Sequence, residues 1–273
     1  MQPLYMGILI FIFAILFQEI LMHLVLPMLA KTGAVRLNFR EEQIPVAGGI
    51  TFPMTLLLCW VILSLAGFVG ESGALYLVGV IGMAFLGFVD DMLGQRDSLG
   101  FRGHFKRLLV DRELTTGALK AIGGGVLAIY ISLFYSEGIW ELLVNILVIA
   151  LFTNSMNLFD LRPGRCVKAF LLIFLPFLIF INVDYLIFIP LFGAVLSYFR
   201  YDLQAQVMMG DTGSNVLGIT LGVMSVYGLG LPAKLMILIV LVALHVYTEK
   251  YSLTKTIEKY SLLREFDRLG RGD

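Results

Sequence analysis

Apolar segments of membrane-spanning length recur along most of the chain, and they constrain its fold more than any other feature. A helix needs about 20 mostly apolar residues to cross the hydrocarbon core of a bilayer, which is about 30 Å thick. A helix suits this environment because its backbone polar groups are satisfied within the segment. Nine segments are candidates: 4–30, 44–69, 73–89, 117–135, 139–156, 167–182, 185–199, 214–230 and 232–249. The sequence therefore predicts an all-α fold, a polytopic transmembrane helical bundle of about nine spans.

Composition agrees with a chain whose main solvent is lipid. Apolar residues make up 59% of the sequence and the mean hydropathy is +0.89, which exceeds what a soluble surface tolerates. Because no internal repeat or Pro- or Ser-rich linker divides the chain, we predict one transmembrane domain over residues 1–250. In the tail, 251–273, apolar residues recur at helical spacing with basic residues between them. This pattern predicts a cytoplasmic, interfacial amphipathic helix, with a disordered tail as the alternative.

The distribution of basic residues predicts the orientation of the chain. The connections on one side of the bundle hold 19 of the 20 Lys and Arg residues, and the opposite connections hold only Lys234. Short loops rich in Lys and Arg stay in the cytoplasm. We therefore expect a multi-pass protein of the cell inner (plasma) membrane with its N-terminus outside and its C-terminus in the cytoplasm.

Acidic and amide residues gather at the cytoplasmic ends of three predicted spans. They occur in GFVDDMLG (87–94), NSMNLFD (154–160) and MMGDTGSN (208–215). A charged side chain costs about 2.5–3.5 kcal/mol at the bilayer centre and less toward the interface, so such groups tend to face a polar cavity or a bound cation. For any single Asp the alternative is that it ends a span where the chain meets water.

The first two segments place their polar groups close together. Asp90 and Asp91 are adjacent like charges, which raise each other's pKa unless a cation compensates. Asn154, Asn157 and Asp160 recur at positions i, i+3 and i+6, which share one broad face of a helix.

The third segment puts Asp211 in a Gly-rich turn that opens a helix. Free backbone N–H groups and the positive end of the helix dipole favour an anion such as phosphate there. Mg²⁺ takes one or two carboxylates and leaves its other positions to water and phosphate. Together the three segments indicate a Mg²⁺ site for a phosphorylated substrate.

The three motifs, in this order, resemble those of the polyprenyl-phosphate N-acetylhexosamine-1-phosphate transferases, glycosyltransferase family 4. The likeness extends over about residues 36–218, and REEQIPVAGGI (40–50) is similar to the Gly-Gly loop of that family. The resemblance implies transfer of a sugar-1-phosphate from a UDP-sugar to polyprenyl phosphate on the cytoplasmic leaflet, with Mg²⁺ and release of UMP. It implies a place in the synthesis of a cell-envelope glycopolymer, as in peptidoglycan assembly, and allows a homodimer.

The resemblance also implies roles for individual residues. Asp211 would be a direct Mg²⁺ ligand. Asp90 and Asp91 would lie near the lipid phosphate, one of them as a base or a positioning group. Asp160, with Asn157 and Asn154 of the same motif, would line the nucleotide and metal side.

Basic residues supply further candidates for phosphate contacts. Lys106 and Arg107 lie in RGHFKRLL, where the alternative is that they are topology-setting charges. Arg162 and Arg165 flank Pro163, and a guanidinium there could bind a phosphate bidentately.

Two departures from the family keep other functions open. Pro163 stands where the family has a second Asp, and the late histidine-rich loop is absent, because the chain has only three histidines. A catalytically degenerate member that binds lipid phosphate as a regulator or scaffold is therefore the main alternative. A small ion transporter is a third class, which acids at span ends rather than mid-span disfavour.

The predicted orientation can be tested by cysteine labelling. We expect a Glu137→Cys variant to react with a membrane-impermeant maleimide in intact cells, and a Glu258→Cys variant to react only after permeabilisation. The natural cysteines, Cys59 and Cys166, lie in or beside apolar segments and should give little background. Labelling of the Glu258→Cys variant in intact cells would mean that the orientation is reversed.

Overall fold

The computed structural model describes residues 2–68, 70–94 and 114–271. In this part of the chain nine helices form the bundle: α1 (Gln2–Lys31), α2 (Thr51–Leu65), α3 (Glu71–Leu93), α4 (Thr116–Phe134), α5 (Ile139–Phe159), α6 (Arg165–Phe180), α7 (Tyr185–Leu203), α8 (Gly210–Gly228) and α9 (Leu231–Lys250). A hairpin of β1 (Val35–Leu37) and β2 (Gln43–Pro45) and a 3₁₀ turn (Gly48–Ile50) precede α2. Two short helices, α10 (Leu253–Lys259) and α11 (Ser261–Arg268), follow the bundle.

Each predicted span corresponds to one of these nine helices within the described residues. Seven are long and apolar enough to cross a membrane: Leu4–Lys31, Gly48–Leu65, Glu71–Leu93, Thr116–Phe134, Ile139–Phe159, Tyr185–Leu203 and Leu231–Lys250. The other two, α6 and α8, pack within the same bundle. The prediction of an all-α polytopic transmembrane bundle is confirmed.

Helix α8 forms the centre of the bundle. Every residue from Thr212 to Val226 is buried, and α3 and α5 pack along its length. Gly218 permits the approach of α5, since a Cβ there would overlap the backbone of Thr153. Small residues matter at such contacts because lipid provides no hydrophobic drive for helix association, so close packing and interhelical hydrogen bonds must supply it. Tyr76 of α3 and Thr220 of α8 form one such bond, at 2.9 Å.

The segment before α2 is fastened to the segment before α8. Backbone hydrogen bonds join Met208 N to the Pro45 carbonyl (2.9 Å) and Gly48 N to the Met208 carbonyl (3.0 Å). A third joins Gly49 N to the Met209 carbonyl (3.1 Å). The hairpin and its Gly-Gly loop are thereby placed beside the start of α8, where Asp211 lies.

The opposite end of the bundle contains Lys234, the one basic residue that the predicted topology places apart from the other 19. Lys234, at the start of α9, is only 2% exposed and pairs with Glu141, at the start of α5, at 2.8 Å. This pairing explains why a buried charge that runs against the basic asymmetry is tolerated, since Glu141 of a neighbouring helix neutralises it. Which end faces the cytoplasm remains a prediction.

The tail beyond α9 has two different faces. Asp267 of α11 is buried, whereas Leu262, Leu263 and Phe266 of the same helix are exposed. The exposed apolar side chains suit a membrane interface, and the interfacial position of the tail remains a prediction.

The contact between the Gly-Gly loop and α8 can be tested by adding a methyl group. A Cβ on Gly49 would overlap the backbone of Gly213, so we expect Gly49→Ala to cost about 1–3 kcal/mol. The cost should appear as a lower melting temperature of the detergent-solubilised protein. Gly125→Ala in α4 is the matched control, because a Cβ there meets nothing within 4 Å and alanine favours a helix. Equal melting temperatures for the two variants would contradict this close approach.

Candidate functional site

The predicted acidic segments meet at one end of the bundle, around a cleft of about 220 Å³. The hairpin, the ends of α3, α5 and α7, and the start of α8 surround it. Its charged and polar lining residues are Arg36, Asn38, Asp91, Asp160, Arg162, Asp202 and Asp211. Residues that are far apart in the sequence thus form one polar site beside an apolar bundle.

Asp91 holds the first turn of α8. Its carboxylate accepts hydrogen bonds from Asp211 N (3.0 Å), Thr212 N (2.9 Å) and Thr212 Oγ1 (2.6 Å). The first N–H groups of a helix have no intrahelical partner, so a carboxylate from another helix can cap them. The Gly-rich turn predicts a phosphate at this helix start, but in the structure these N–H groups bind Asp91. Gly210 permits the arrangement, because its φ is +72° and a Cβ there would overlap the Asp91 carboxylate.

Lys120 is the cation between two of the predicted site residues. Its ammonium donates to Asp90 Oδ2 at 3.0 Å and also to Asp211 Oδ2. In the sequence, Lys120 is one of the 19 basic residues that predict the orientation of the chain. Its position inside an apolar segment was the available signal, because a charge there needs a partner within the protein.

A carboxylate that the sequence analysis missed lies beside the loop that contains Pro163. Asp202, in the last turn of α7, is 4% exposed, and its Oδ2 accepts a hydrogen bond from Gly164 N at 2.9 Å. The loop that lacks the second family Asp therefore has an acid next to it, contributed by a different helix.

The cleft carries an excess of negative charge. Asp160 ends α5 and is only partly exposed. Loss of solvent, and then the charges of Asp202, Asp211 and Asp91, raise the pKa of the Asp160 carboxyl well above its usual value. Such a cluster favours cations, or ligands that bring their own.

Arg36 and Arg162 are the basic residues that line the cleft within the described part of the chain. The Arg36 guanidinium donates a hydrogen bond to the backbone carbonyl of Asp91. The guanidinium of Arg162 lies 5.9 Å from the ring centroid of Phe39, another lining residue. Both therefore lie where an anionic ligand would enter.

Neither asparagine of the second motif is among the described residues that line the cleft, but Asn157 is bound to the start of α8. Asn157 Oδ1 accepts a hydrogen bond from Ser214 Oγ in the first turns of α8, which joins α5 to the site. Asn154 is partly buried on the same helix but is not one of the described residues that line the cleft. Its predicted substrate contact therefore lacks support from the geometry.

Arg165 has a different partner from the one predicted. It is 4% exposed, and its guanidinium binds Asp267 of α11 bidentately, from Nε to Oδ1 at 2.7 Å and from Nη2 to Oδ2 at 3.0 Å. We therefore assign it a structural role in place of the predicted phosphate contact. Lys106 and Arg107, the other predicted phosphate contacts, lie outside the residues that the structure describes.

The chemistry of Asp90 and Asp211 fits a hard cation. Their carboxylates already share the Lys120 ammonium, so the space between them favours positive charge. In the described part of the chain, no group of three or more His, Cys, Asp or Glu side chains could hold a metal ion by itself. Mg²⁺ does not require one, because it binds through one or two carboxylates and takes its other ligands from water and phosphate.

Comparison with known proteins gives a consistent family. The profile of the family described as Glycosyl transferase family 4 matches residues 73–229, which run from α3 to the end of α8. A phospho-N-acetylmuramoyl-pentapeptide-transferase of Clostridium botulinum (strain Eklund 17B / Type B) is 28% identical over 221 residues, 77% of this chain and 67% of the relative. One of Thermotoga neapolitana is 30% identical over 193 residues, 68% of this chain and 61% of the relative. The chain spans about two thirds of the length of such relatives, or slightly less.

The capping of α8 by Asp91 predicts the effect of an amide at this position. Asp91→Asn would place an NH₂ group against donors that now bind a carboxylate, so we expect a loss of about 1–3 kcal/mol of stability. Thr212→Val, which removes one of the three bonds, should lower the melting temperature by less. Glu137→Gln, an exposed acid at the other end of the bundle, is the control. An unchanged melting temperature for Asp91→Asn would exclude this capping role.

Proposed function

Because the chain belongs to glycosyl transferase family 4, we propose that it transfers a sugar-1-phosphate from a nucleotide sugar to polyprenyl phosphate. The observation that carries the proposal is the convergence of three acidic segments at one cleft, within the stretch that matches the family. Lys120 joins this site by binding Asp90 and Asp211. The relatives, named phospho-N-acetylmuramoyl-pentapeptide-transferases, favour a phospho-N-acetylmuramoyl-pentapeptide as the transferred group. UDP as the nucleotide and a cell-envelope glycopolymer, such as peptidoglycan, as the final product follow from the family resemblance of the motifs.

The proposed reaction exchanges one phosphorus–oxygen bond for another. An oxygen of polyprenyl phosphate attacks the β-phosphorus of the UDP-sugar and forms a lipid diphosphate sugar. The bond from this phosphorus to the bridging oxygen breaks, and UMP leaves with the electron pair. The protein's part in such transfers is mainly to position the reactants and neutralise charge, which fits a cleft of acids and cations.

The two adjacent acids of α3 have different proposed roles. Asp91 is engaged by three donors, so its part is to hold the start of α8 and thereby position Asp211. Asp90 has Lys120 as its partner and is the acid that we assign to the lipid phosphate, as a base or positioning group. Arg36 and Arg162, which line the cleft, would bind phosphate oxygens, and Asp160 would lie on the nucleotide side. Asn157, whose side chain binds Ser214 of α8, is assigned to the same side.

We further propose that Mg²⁺ binds Asp211, with Asp90 beside it. The support is the choice of ligand atoms, since two carboxylates already share one cation in this place. When bound, the ion would neutralise charge on the phosphate oxygens. With the ion bound, Lys120 would neutralise the remaining charge of the two acids. Between catalytic cycles, Lys120 would hold the two carboxylates together.

The reaction is proposed for the cytoplasmic leaflet, where nucleotide sugars are present and where the basic asymmetry of the sequence predicts this end of the bundle to lie. The lipid substrate would reach the cleft from the membrane. A homodimer is proposed from the family resemblance alone.

The alternative function is that of a degenerate family member that binds lipid phosphate and regulates or scaffolds wall synthesis. The observation that favours it is Pro163, which stands in place of an acid of the family. Against it, Asp202 supplies a carboxylate beside the same loop. The two functions separate by turnover, because a scaffold would bind polyprenyl phosphate without releasing nucleotide.

The test is a product assay with purified protein, undecaprenyl phosphate, Mg²⁺ and a panel of nucleotide sugars. We expect mass spectrometry to detect UMP and a lipid diphosphate sugar with at least one donor. Asp211→Asn should reduce turnover by about 100-fold or more, because it removes charge at the point where phosphate charge must be neutralised. Removal of Mg²⁺ with EDTA should stop the reaction.

Asp184→Asn is the matched control for that variant. Asp184 caps α7 at the opposite end of the bundle by accepting a hydrogen bond from Leu186 N, and asparagine caps helices as well as aspartate does. Its turnover should stay within about twofold of the wild type, since it removes a charge far from the cleft. Lipid phosphate binding without turnover of any donor would support the scaffold instead.

A further inference from the structure

The loop that joins α5 to α6 is held from two sides. This site loop, residues 160–165, contains Asp160, the partly exposed acid of the cleft, and ends at the buried Arg165. On one side, Asp202 of α7 accepts a hydrogen bond from Gly164 N at 2.9 Å. Gly164 has a φ of +75°, a backbone conformation that residues other than glycine rarely adopt. The other side of the loop faces the C-terminal tail.

The tail contacts the site loop through a buried ion pair. Arg165 and Asp267 are 4% and 8% exposed, and the bidentate geometry satisfies both oxygens of the carboxylate. Arg165 Nη1 also donates to Thr254 Oγ1 of α10 at 2.9 Å. One arginine at the end of the loop therefore joins both helices of the tail.

Two further cations strengthen this contact. Lys168 Nζ donates to the backbone carbonyls of Phe266 (3.1 Å) and Asp267 (2.7 Å), which lie in the last turn of α11, where a positive charge is favoured. Arg271 Nε donates to the Pro163 carbonyl at 3.1 Å, and its Nη2 donates to Asp267 Oδ2 at 3.1 Å. The tail thus binds the loop at Pro163, the residue where the chain departs from the family.

The Asp267 carboxylate is compensated by the cations around it. Burial by itself would raise the pKa of Asp267, but hydrogen bonds from Arg165 and the charges of Arg165 and Arg271 hold that pKa below its usual value. The carboxylate is therefore ionised at neutral pH. Removal of either partner of a buried pair leaves an uncompensated charge. Loss of Arg165 or Asp267 should therefore separate the tail from the loop.

We propose that the C-terminal tail, residues 252–271, holds the site loop in the conformation that forms the cleft, with Asp267 as a positioning residue that acts through Arg165. The proposal rests on the function proposed above, since the loop carries Asp160 into the reaction site. It makes the tail a working part of the enzyme in addition to any contact with the membrane. A displaced loop would shift Asp160 and Arg162 together.

The experiment compares Asp267→Ala with Glu265→Ala in the full-length protein. Glu265 lies in the same helix but is exposed, so it controls for the loss of an acid from the tail. Hydrogen exchange measured by mass spectrometry should rise in peptides that cover the site loop for Asp267→Ala and remain at the wild-type level for Glu265→Ala. This readout does not require turnover, so it tests the tail even if the proposed reaction fails.

Activity supplies the second readout. For Asp267→Ala we expect kcat/KM for the nucleotide sugar to fall by about 10-fold to 100-fold, the effect of a displacement of about 1 Å in a reaction site. Asp267→Glu should restore at least part of it, because glutamate retains the charge. If the alanine variant does not fold, Asp267→Asn provides the same comparison, with the charge removed and the shape kept.

Two results would overturn the proposal. One is unchanged exchange of the site loop in the Asp267 variants, which would mean that the tail does not hold it. The other is increased exchange with an unchanged kcat/KM, which would mean that the held conformation has no part in the reaction.

Discussion

The site depends on one interaction, the capping of α8 by the Asp91 carboxylate. The side chain belongs to α3, and the donors that it accepts from are the Asp211 and Thr212 N–H groups and the Thr212 hydroxyl. Because Thr212 is buried, its N–H and hydroxyl groups need a partner within the protein. The same carboxylate therefore satisfies the helix and fixes the position of Asp211.

Charge balance accounts for much of what surrounds this cap. Asp90 and Asp211 share the Lys120 ammonium, and Arg36 binds the carbonyl of Asp91. Carboxylates near lipid are tolerated only when cations or hydrogen-bond donors compensate them. The compensation here is partial, because four Asp side chains line the described cleft against two Arg side chains. A cleft of this kind is suited to a substrate that arrives with a cation.

The loop after α5 illustrates how a changed motif can keep acids near a site. Pro163 removes the acid that the family resemblance leads one to expect, yet Asp202 lies against the next residue of the loop. Arg165, which the sequence suggested as a phosphate ligand, binds Asp267 instead. The basic residues of this loop are thus divided, with Arg162 on the cleft and Arg165 in the contact with the tail.

The sequence by itself determined the helices and the side on which the acids gather. Hydropathy is a local property, and nine apolar segments predicted the nine helices of the described bundle, from Gln2–Lys31 to Leu231–Lys250. Chain reversal at each span then places the three acidic segments at one end. The family motifs predict that Asp90, Asp160 and Asp211 belong to one site. In the structure their segments meet around the cleft.

Only the tertiary structure decided which groups are partners. Asp91 and Thr212 are 121 residues apart, Lys120 and Asp211 are 91 apart, and Arg165 and Asp267 are 102 apart. No periodicity or spacing relates such pairs, because they meet through the packing of separate helices. The tertiary fold therefore determines whether a side chain is free for a ligand or bound within the protein. Asp91 caps α8, and Arg165 binds the tail.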